Sequence, residues 1–335
     1  MKKVICFAVT AVIMLSACFS LFGCAHRTKK YSDTHFDLFD SFAQITVYTD
    51  SDESFEEYNS LFLSTLEKYH QLLDIYNEYD GVVNLYNVNR SAHVAPMTVS
   101  DELFEFLSYA KEIHSTTQGY TSISMGAVTA IWKSTIADKT PPSKDSLDEA
   151  SLHMDIESLL LNPEDKTVFI SDESMTLDAG ALGKGYVADI IYDSLTKAGA
   201  ESFLLNVGGT LKAHGEKPDG AEWRGGIEFP EGIDKQDISI NISEQALSTS
   251  GSYHRGFELD GIRYHHIINP FTQNCENYYL SVSVICPSAA DADAFSTALF
   301  SMSLEQGQAF IEGIENAEVI WILSDGSTVR SEGMK

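Results

Sequence analysis

Basic residues are few in this sequence, which has 22 lysines and arginines against 49 aspartates and glutamates in 335 positions. Proteins that bind nucleic acid or anionic lipid carry basic surfaces, so this balance argues against both as the main partners. No internal repeat is visible. Apolar residues make up 44% of the chain, enough to bury a sizeable core as one large domain or as two interleaved lobes.

Cysteine is scarce as well, with five residues in the chain. Cys6 and Cys18 lie in an N-terminal segment that we expect to be removed, and no cysteine has the spacing of a zinc site. Cys275 and Cys286 remain in the folded part, so a disulfide between them is one alternative. We favour two small, buried or partly buried thiols over a bridge.

The first 23 residues have the pattern of a cleaved export signal, with a short basic start, an apolar run and then polar sequence. LSAC, ending at Cys18, and LFGC, ending at Cys24, both resemble the lipobox of bacterial lipoproteins. We favour Cys24 as the lipidated residue because polar sequence follows it at once, and Cys18 is the alternative. We therefore expect an exported lipoprotein, anchored by lipid on the extracytoplasmic face of the cell membrane, with a tether over residues 24–35.

The remaining chain, residues 36–335, predicts an α+β fold. SFAQITVY predicts a strand, and the capping box Ser54-x-x-Glu57 predicts the start of a helix after it. Residues 76–89 are rich in Asn, Gly and Tyr and predict a loop. From residue 203 onward, short runs such as FLLNV, ISINI and LSVSVIC follow one another with few helices between them. This order favours mainly antiparallel sheet over a doubly wound one.

Glycine-rich segments are the first candidates for a binding site. LDAGALGKGYVADII places three glycines before an apolar helix, where free N–H groups and the helix dipole favour a phosphate, and Lys184 adds a cation. It is not a P-loop, because Gly185 follows the lysine where Ser or Thr would stand. LLNVGGTLKAHG brings Gly208 and Gly209 to a strand end, where backbone can approach a ligand closely. For both segments the alternative is an ordinary turn or bulge that binds no ligand.

A carboxylate and a hydroxyl share a helix face in SAADADAFSTALF. Asp293 and Thr297 stand at positions i and i+4, one turn apart. Oxygen ligands of this kind suit a hard cation such as Mg²⁺. The alternative is an acid that favours the helix dipole beside an unrelated threonine.

Together with LSTSGSYHRG and YHHIINPFT, these segments occur in the order and at the approximate spacings of the ApbE family of FAD:protein FMN transferases, which the chain resembles from Phe36 to its C-terminus. The resemblance implies a bilobal, T-fold-like α+β architecture with mainly antiparallel sheets and FAD held between the lobes. Many members are exported lipoproteins, in agreement with the N-terminus. The chain departs from the family at residues 40–42, where DSF replaces Met-Gly-Thr, and at Asn269, where many members have Asp.

By this resemblance the reaction transfers FMN from FAD to a threonine hydroxyl of an acceptor flavoprotein, releases AMP and depends on Mg²⁺. His266 is the implied general base and His265 a structural residue. The implied metal ligands are Asp293, Thr297 and the carbonyl of Ala181. The implied FAD-pocket residues are Lys184, Asp189, Asn206, Gly208, Gly209, Thr249, Ser250 and Gly251.

The expected acceptor is a membrane or extracytoplasmic redox protein that carries the target threonine. Two other functions remain open at this point. One is FAD pyrophosphatase activity, in which water replaces threonine at the same metal site and the products are FMN and AMP. The other is a surface lipoprotein that only binds flavin or another solute. A pure binder needs no metal ligands and no base, so Asp293, Thr297 and His266 together argue against it.

Overall fold

The computed structural model of the protein describes residues 28–253 and 255–334. In chain order the helices are α1 (Asp52–Leu73), α2 (Leu85–Ser91), α3 (Asp101–Thr116), α4 (Gly126–Asp138), α5 (Lys144–Ser151), α6 (Gly183–Lys197), α7 (Ala289–Ser301) and α8 (Leu304–Glu312). Short 3₁₀ helices span Ile123–Met125 and Ile156–Ser158. The strands are β1 (Lys29–Leu38), β2 (Ser41–Thr49), β3 (Met97–Thr98), β4 (Leu159–Asn162), β5 (Thr167–Ile170), β6 (Phe203–Val207), β7 (Thr210–His214), β8 (Trp223–Ile227), β9 (Ile238–Ile242), β10 (Ala246–Gly251), β11 (Gly256–Leu259), β12 (Ile262–His265), β13 (Tyr279–Cys286), β14 (Glu318–Leu323) and β15 (Thr328–Arg330).

An eight-stranded sheet in the order β1-β2-β6-β7-β10-β13-β14-β15 organises the molecule. A three-stranded sheet (β3-β5-β4) and two hairpins (β8-β9 and β11-β12) accompany it. Every strand pairing within the described residues is antiparallel. Helices and antiparallel sheets occur in one chain, so the predicted α+β class is confirmed.

The two faces of the large sheet pack against different layers, because successive side chains of a strand point to opposite sides. Helices α1, α6 and α7 cover one face, where Phe62, Val187 and Leu299 belong to the main core. The β8–β9 hairpin covers the other face, where Trp223 packs in a second core with Leu247 of β10. Strand β10 is therefore fixed from one side by apolar contacts, and its opposite face is left for polar side chains.

A third apolar cluster lies around α4 and α5 and includes Trp132 and Ile268. Tyr264 of β12 packs against it, with its ring centroid 6.3 Å from that of Trp132, and Phe257 of β11 stacks on Tyr264 at 5.0 Å. These stacked rings hold the β11–β12 hairpin on α4. A large cavity lies between this group and the layer formed by the main sheet and α7.

The large sheet begins nearer the N-terminus than the sequence predicts. The sequence predicts a tether over residues 24–35, whereas β1 pairs with β2 from Lys29 opposite Thr49 onward. Tyr31 stacks on Phe55 at 5.0 Å and its hydroxyl donates to Asp52 at 2.6 Å, so side chains on α1 hold this segment in place. The tether prediction is therefore wrong from Lys29 onward. The predicted signal, residues 1–23, and Cys24 lie outside the described residues.

Two local predictions also change. Helix α1 begins after Ser51, whose side chain accepts from the Ser54 N–H at 3.1 Å, instead of at the predicted Ser54 box. The predicted loop over residues 76–89 contains the start of α2, which Asn84 and Asn87 cap reciprocally. Asparagine is a strong N-cap, so its abundance here marks a helix start and not only a loop.

Cys275 and Cys286 are both free thiols, one partly buried and one buried, as the sequence favoured. Among the helices of the described residues, none combines the length and the apolarity that crossing a membrane requires.

Candidate active site

The cavity has a volume of about 1050 Å³, at the upper end of small-molecule sites and large enough for a dinucleotide. It is bordered by the β1–β2 turn, the C-terminal end of α1, helix α4, the turn before α6, strand β10 and helix α7. The structure brings ten of the twelve predicted site residues to its wall: Ala181, Lys184, Gly208, Gly209, Thr249, Ser250, Gly251, His266, Asp293 and Thr297.

Asp293 is held where α6 and α7 meet. A Cβ atom on Gly185 would lie 2.3 Å from the Ala289 carbonyl oxygen, so only glycine permits this close helix contact. The Gly185 N–H donates to Asp293 Oδ2 at 2.9 Å, and Ser248 Oγ donates to Oδ1 at 3.2 Å. Asp293 as a whole is 6% exposed, and these two hydrogen bonds fix the orientation of its carboxylate.

Thr297 lies one turn further along α7, on the face that meets β10. Its Oγ1 donates to the Asp293 carbonyl at 3.1 Å and lies 3.3 Å from Ser250 Oγ. Ser250 also lies within 2.9 Å of Ser296 Oγ. The hydroxyl side chains of Ser248 and Ser250 on β10 therefore line the cavity between Asp293 and Thr297.

These residues provide the oxygen donors that a hard cation requires. The Ala181 carbonyl accepts no hydrogen bond from the described part of the chain. In a continuous helix the Gly185 N–H would donate to it, but here this N–H donates to Asp293. A carboxylate, a hydroxyl and this free carbonyl fit Mg²⁺, which keeps several waters and binds through few protein oxygens. No cluster of three or more His, Cys, Asp or Glu suited to a metal occurs over residues 28–253 and 255–334, so the fit depends on neutral oxygens.

His266 opens into the cavity directly after β12. Its Nδ1 lies 3.3 Å from the Arg255 carbonyl oxygen, and a carbonyl only accepts, so Nδ1 carries the proton and Nε2 keeps a free lone pair. Although the His266 side chain is exposed to the open cavity, partial desolvation there and the positive charges of Arg255 and Lys184 lower its pKa to about 4. The ring is therefore neutral near pH 7 and can accept a proton.

His265 has a structural role, as the sequence analysis proposed. Its ring is fully buried; Nε2 donates to the Glu276 carbonyl at 2.9 Å, and Nδ1 accepts from the Ile267 N–H at 3.3 Å. Burial lowers the pKa of His265 to about 4. Both ring nitrogens are occupied, so this ring positions the chain on which His266 stands.

The glycine turns shape the wall around Lys184. Gly208 has a φ of +60°, and a Cβ atom there would lie 2.5 Å from Lys184 Cδ. The missing side chain lets the lysine stem pass, and the ammonium group donates to the Gly180 carbonyl at 3.2 Å. A cation is thus directed to the same wall as His266.

Two predicted pocket residues, Asp189 and Asn206, are not among the described residues that line the cavity. The Asp189 carboxylate accepts from Ala289 N–H at 3.0 Å and Ala290 N–H at 2.9 Å, so it caps α7. Asn206 Oδ1 accepts from the Gly209 N–H at 2.9 Å and fixes the β6–β7 turn. Both hold cavity residues in place from outside.

Thr249 lines the cavity, but its hydroxyl does not point at the Asp293 face. Its Oγ1 lies 2.8 Å from Ser283 Oγ on β13, whereas its neighbours Ser248 and Ser250 point to α7. The alternation of a strand separates them. The side chains of Ser248 and Ser250 therefore serve that face, whereas Thr249 can serve it only through its backbone.

Sequence reasoning missed an ion pair on the wall opposite α7. Lys133 Nζ lies 2.9 Å from Asp178 Oδ2 and 2.5 Å from the Tyr76 hydroxyl, and Thr129 Oγ1 donates to Asp178 at 2.7 Å. Burial opposes ionisation of Asp178, but the Lys133 charge and these hydrogen bonds outweigh it and lower its pKa. Asp178 stands inside the glycine-rich segment and could have been found there, whereas no local pattern marks Lys133 or Tyr76.

The two departures from the family pattern have different positions. Residues 40–42 line the cavity, and the Asp40 carbonyl accepts from Arg255 Nη2 at 2.8 Å. Asn269 is buried in a turn, where Oδ1 accepts from the Phe271 N–H at 2.9 Å and Nδ2 donates to the Ser301 carbonyl at 3.1 Å. The first departure changes the cavity wall, and the second fixes the turn after His266.

Known proteins are similar to this chain over most of its length. A FAD:protein FMN transferase of Treponema pallidum (strain Nichols) is 31% identical over 262 residues, which cover 74% of this chain and 72% of that protein. A FAD:protein FMN transferase of Escherichia coli (strain K12) is 27% identical over 270 residues, 78% of this chain and 75% of that protein.

Solved structures share the fold. The ApbE protein of Thermotoga maritima superposes with a TM-score of 0.81 at 23% identity and covers 91% of this chain and 97% of its own. The flavin transferase ApbE of Vibrio cholerae gives 0.78 at 23% identity, with 91% and 98% covered. The model of the ApbE family matches residues 39–321, from the β1–β2 turn into β14. The chain therefore belongs to the ApbE family.

Proposed function

We propose that this protein is a FAD:protein FMN transferase, which moves FMN from FAD to a threonine hydroxyl of an acceptor flavoprotein and releases AMP. The observation that carries the proposal is the meeting of a neutral histidine, a buried carboxylate and a helix hydroxyl, namely His266, Asp293 and Thr297, on one dinucleotide-sized cavity. The activity in the names of the relatives agrees with this chemistry.

The reaction requires a nucleophile, a place for its proton and a leaving group. The threonine oxygen attacks the phosphorus on the FMN side of the pyrophosphate, a new P–O bond forms, and the bond to the bridging oxygen breaks so that AMP leaves. His266 Nε2 accepts the threonine proton, because Nδ1 is already protonated by its bond to the Arg255 carbonyl. The positive charges of Lys184 and Arg255 favour the phosphates on this wall.

We further propose that Mg²⁺ is held by Asp293, Thr297 and the Ala181 carbonyl. When bound, such an ion neutralises charge on the pyrophosphate oxygens. The chain's own contribution is to orient these donors, through the Gly185 N–H and the Ser248 hydroxyl on Asp293.

Location is a separate proposal. We infer from the N-terminal pattern that the protein is exported and carries lipid on Cys24, which would place the cavity beside membrane or extracytoplasmic redox proteins as acceptors. Cys24→Ala should release the protein from the membrane fraction, with Cys18→Ala as the matched control. Release by Cys18→Ala alone would move the cleavage site to Cys18.

The function is tested by incubating the protein with FAD, Mg²⁺ and candidate acceptor flavoproteins, followed by mass spectrometry of the acceptor. A threonine that gains the mass of FMN less one water supports the transferase. Free FMN and AMP, with no modified acceptor, would instead show a pyrophosphatase, in which water takes the place of threonine. Retention of intact FAD under all conditions would leave only a flavin-binding protein.

A further inference from the structure

The β11–β12 hairpin forms a two-stranded sheet of its own beside His266. Asp260 and Gly261 connect its strands, with φ values of 52° and 78°, as in a type I′ turn. The flanking pair, Leu259 and Ile262, is therefore hydrogen-bonded across the hairpin.

Pairs of an antiparallel ladder alternate, so the bonding direction of each backbone group in β11 follows from this turn. The next bonded pair is Phe257 with Tyr264. The N–H and C=O groups of Gly256 and Glu258 consequently point away from β12, toward the outer edge of the hairpin.

The two outer edges of the hairpin differ. On the β12 side, the Arg263 carbonyl accepts from Asn277 Nδ2 at 3.1 Å and from Cys275 Sγ at 3.7 Å, so the following chain covers that edge. On the β11 side, the backbone groups of Gly256 and Glu258 have no hydrogen-bond partner among the described residues. Glu258 is exposed. An unpaired edge of this kind is a template for one further strand.

This open edge runs toward the end of the hairpin at which the base lies. Arg255 precedes β11, and its carbonyl, which points to the β12 side, accepts from His266 Nδ1 at 3.3 Å. From Glu258 to Arg255 the strand advances by three residues, about 10 Å. At the far end of the edge, Leu259 and Ile262 are 40% and 51% exposed and offer apolar contacts.

We propose that the acceptor protein docks by adding an extended segment to the β11 edge, so that the threonine at the end of that segment reaches His266. This rests on the proposed transferase function. A strand added to an edge binds chiefly through its main chain, which suits delivery of one side chain into a cavity. The other edge is covered, and the open edge ends at the base, so the geometry favours the segment that carries the nucleophile over any other occupant.

The test removes one edge donor without touching the hairpin's own bonds. Proline at residue 258 lacks the outward N–H and is tolerated on an edge strand. Glu258→Pro should lower transfer at least tenfold, whereas the control Glu258→Ala, which loses the same carboxylate but keeps the N–H, should transfer at the wild-type rate. FAD binding should be unchanged in both, which shows that the fold is intact.

The probe is a library of twelve-residue peptides, each with one threonine and randomised flanks, used with the full-length chain, FAD and Mg²⁺. The best peptide is then methylated at one backbone nitrogen at a time. Loss of transfer at every second nitrogen supports docking as a strand, because only alternate N–H groups face the edge.

Equal transfer by Glu258→Pro and Glu258→Ala, or tolerance of methylation without alternation, would overturn the docking proposal while the transferase function stands. A dimer that Glu258→Pro dissociates, with unchanged transfer, would assign the edge to a second copy of the chain instead. If the wild type modifies neither a peptide nor any intact acceptor, the transferase function itself fails.

Discussion

Gly185→Ala should damage catalysis through the contact between two helices. The new methyl group would lie 2.3 Å from the Ala289 carbonyl oxygen and 2.5 Å from Asp293 Cβ. Normal contacts require a shift of about 1 Å between α6 and α7. That shift lengthens the 2.9 Å bond from the residue 185 N–H to the Asp293 carboxylate. A displacement of this size can reduce turnover by about 10²-fold.

Stability should change less than turnover in this variant. Crowding of a packed contact costs about 1–3 kcal/mol, and the higher helix propensity of alanine offsets about 1 kcal/mol of it. Urea unfolding and FAD turnover at saturating Mg²⁺ measure the two effects separately. Gly226→Ala is the matched control, because a Cβ atom at Gly226 meets nothing within 4 Å. Turnover of Gly185→Ala within twofold of wild type would refute the claim that this contact positions Asp293.

Three further variants test single residues. Asp293→Ala should abolish turnover at low Mg²⁺ while the protein stays folded, and full activity there would remove Asp293 from the ligand set. His266→Ala should bind FAD but transfer about 10²–10⁴-fold more slowly, and wild-type kcat/KM should fall only as pH drops toward about 4. An unchanged rate at saturating FAD would end its role as base. Histidine has an ordinary pKa of 6.5, and burial lowers the pKa of His265 to about 4 in the folded protein, so unfolding binds protons between these pH values. Stability should therefore be full above pH 6.5 and fall by up to about 3 kcal/mol toward pH 4 in urea titrations, and His265→Gln should flatten this slope; an equally steep slope in the variant would assign the effect elsewhere.

The sequence predicted those parts of the site that rest on local geometry. Asp293 and Thr297 are one helical turn apart, so their common face follows from spacing alone, and the glycine-rich turn precedes α6 as expected. The antiparallel α+β class also followed, because strands succeed one another along the chain. The roles of His266 and of the Ala181 carbonyl came from the family resemblance and not from spacing.

Local sequence patterns do not show contacts that distant segments of the chain decide. Asp189 lies in a site-like motif, but its carboxylate caps a helix that begins a hundred residues later. Lys133 carries no local signal, and its partner Asp178 lies 45 residues away. The segment after Lys29 looked like a polar tether, because its stabilisation comes from the backbone of β2 and from side chains on α1.

The central claim is that this cavity passes FMN to a protein and not to water. The most direct measurement compares the AMP released from FAD with the FMN bound covalently to acceptor threonine in the same reaction, for wild type and Asp293→Ala. We expect one bound FMN for each AMP in the wild type and neither product from the variant. AMP matched by free FMN, with an unmodified acceptor, would contradict it.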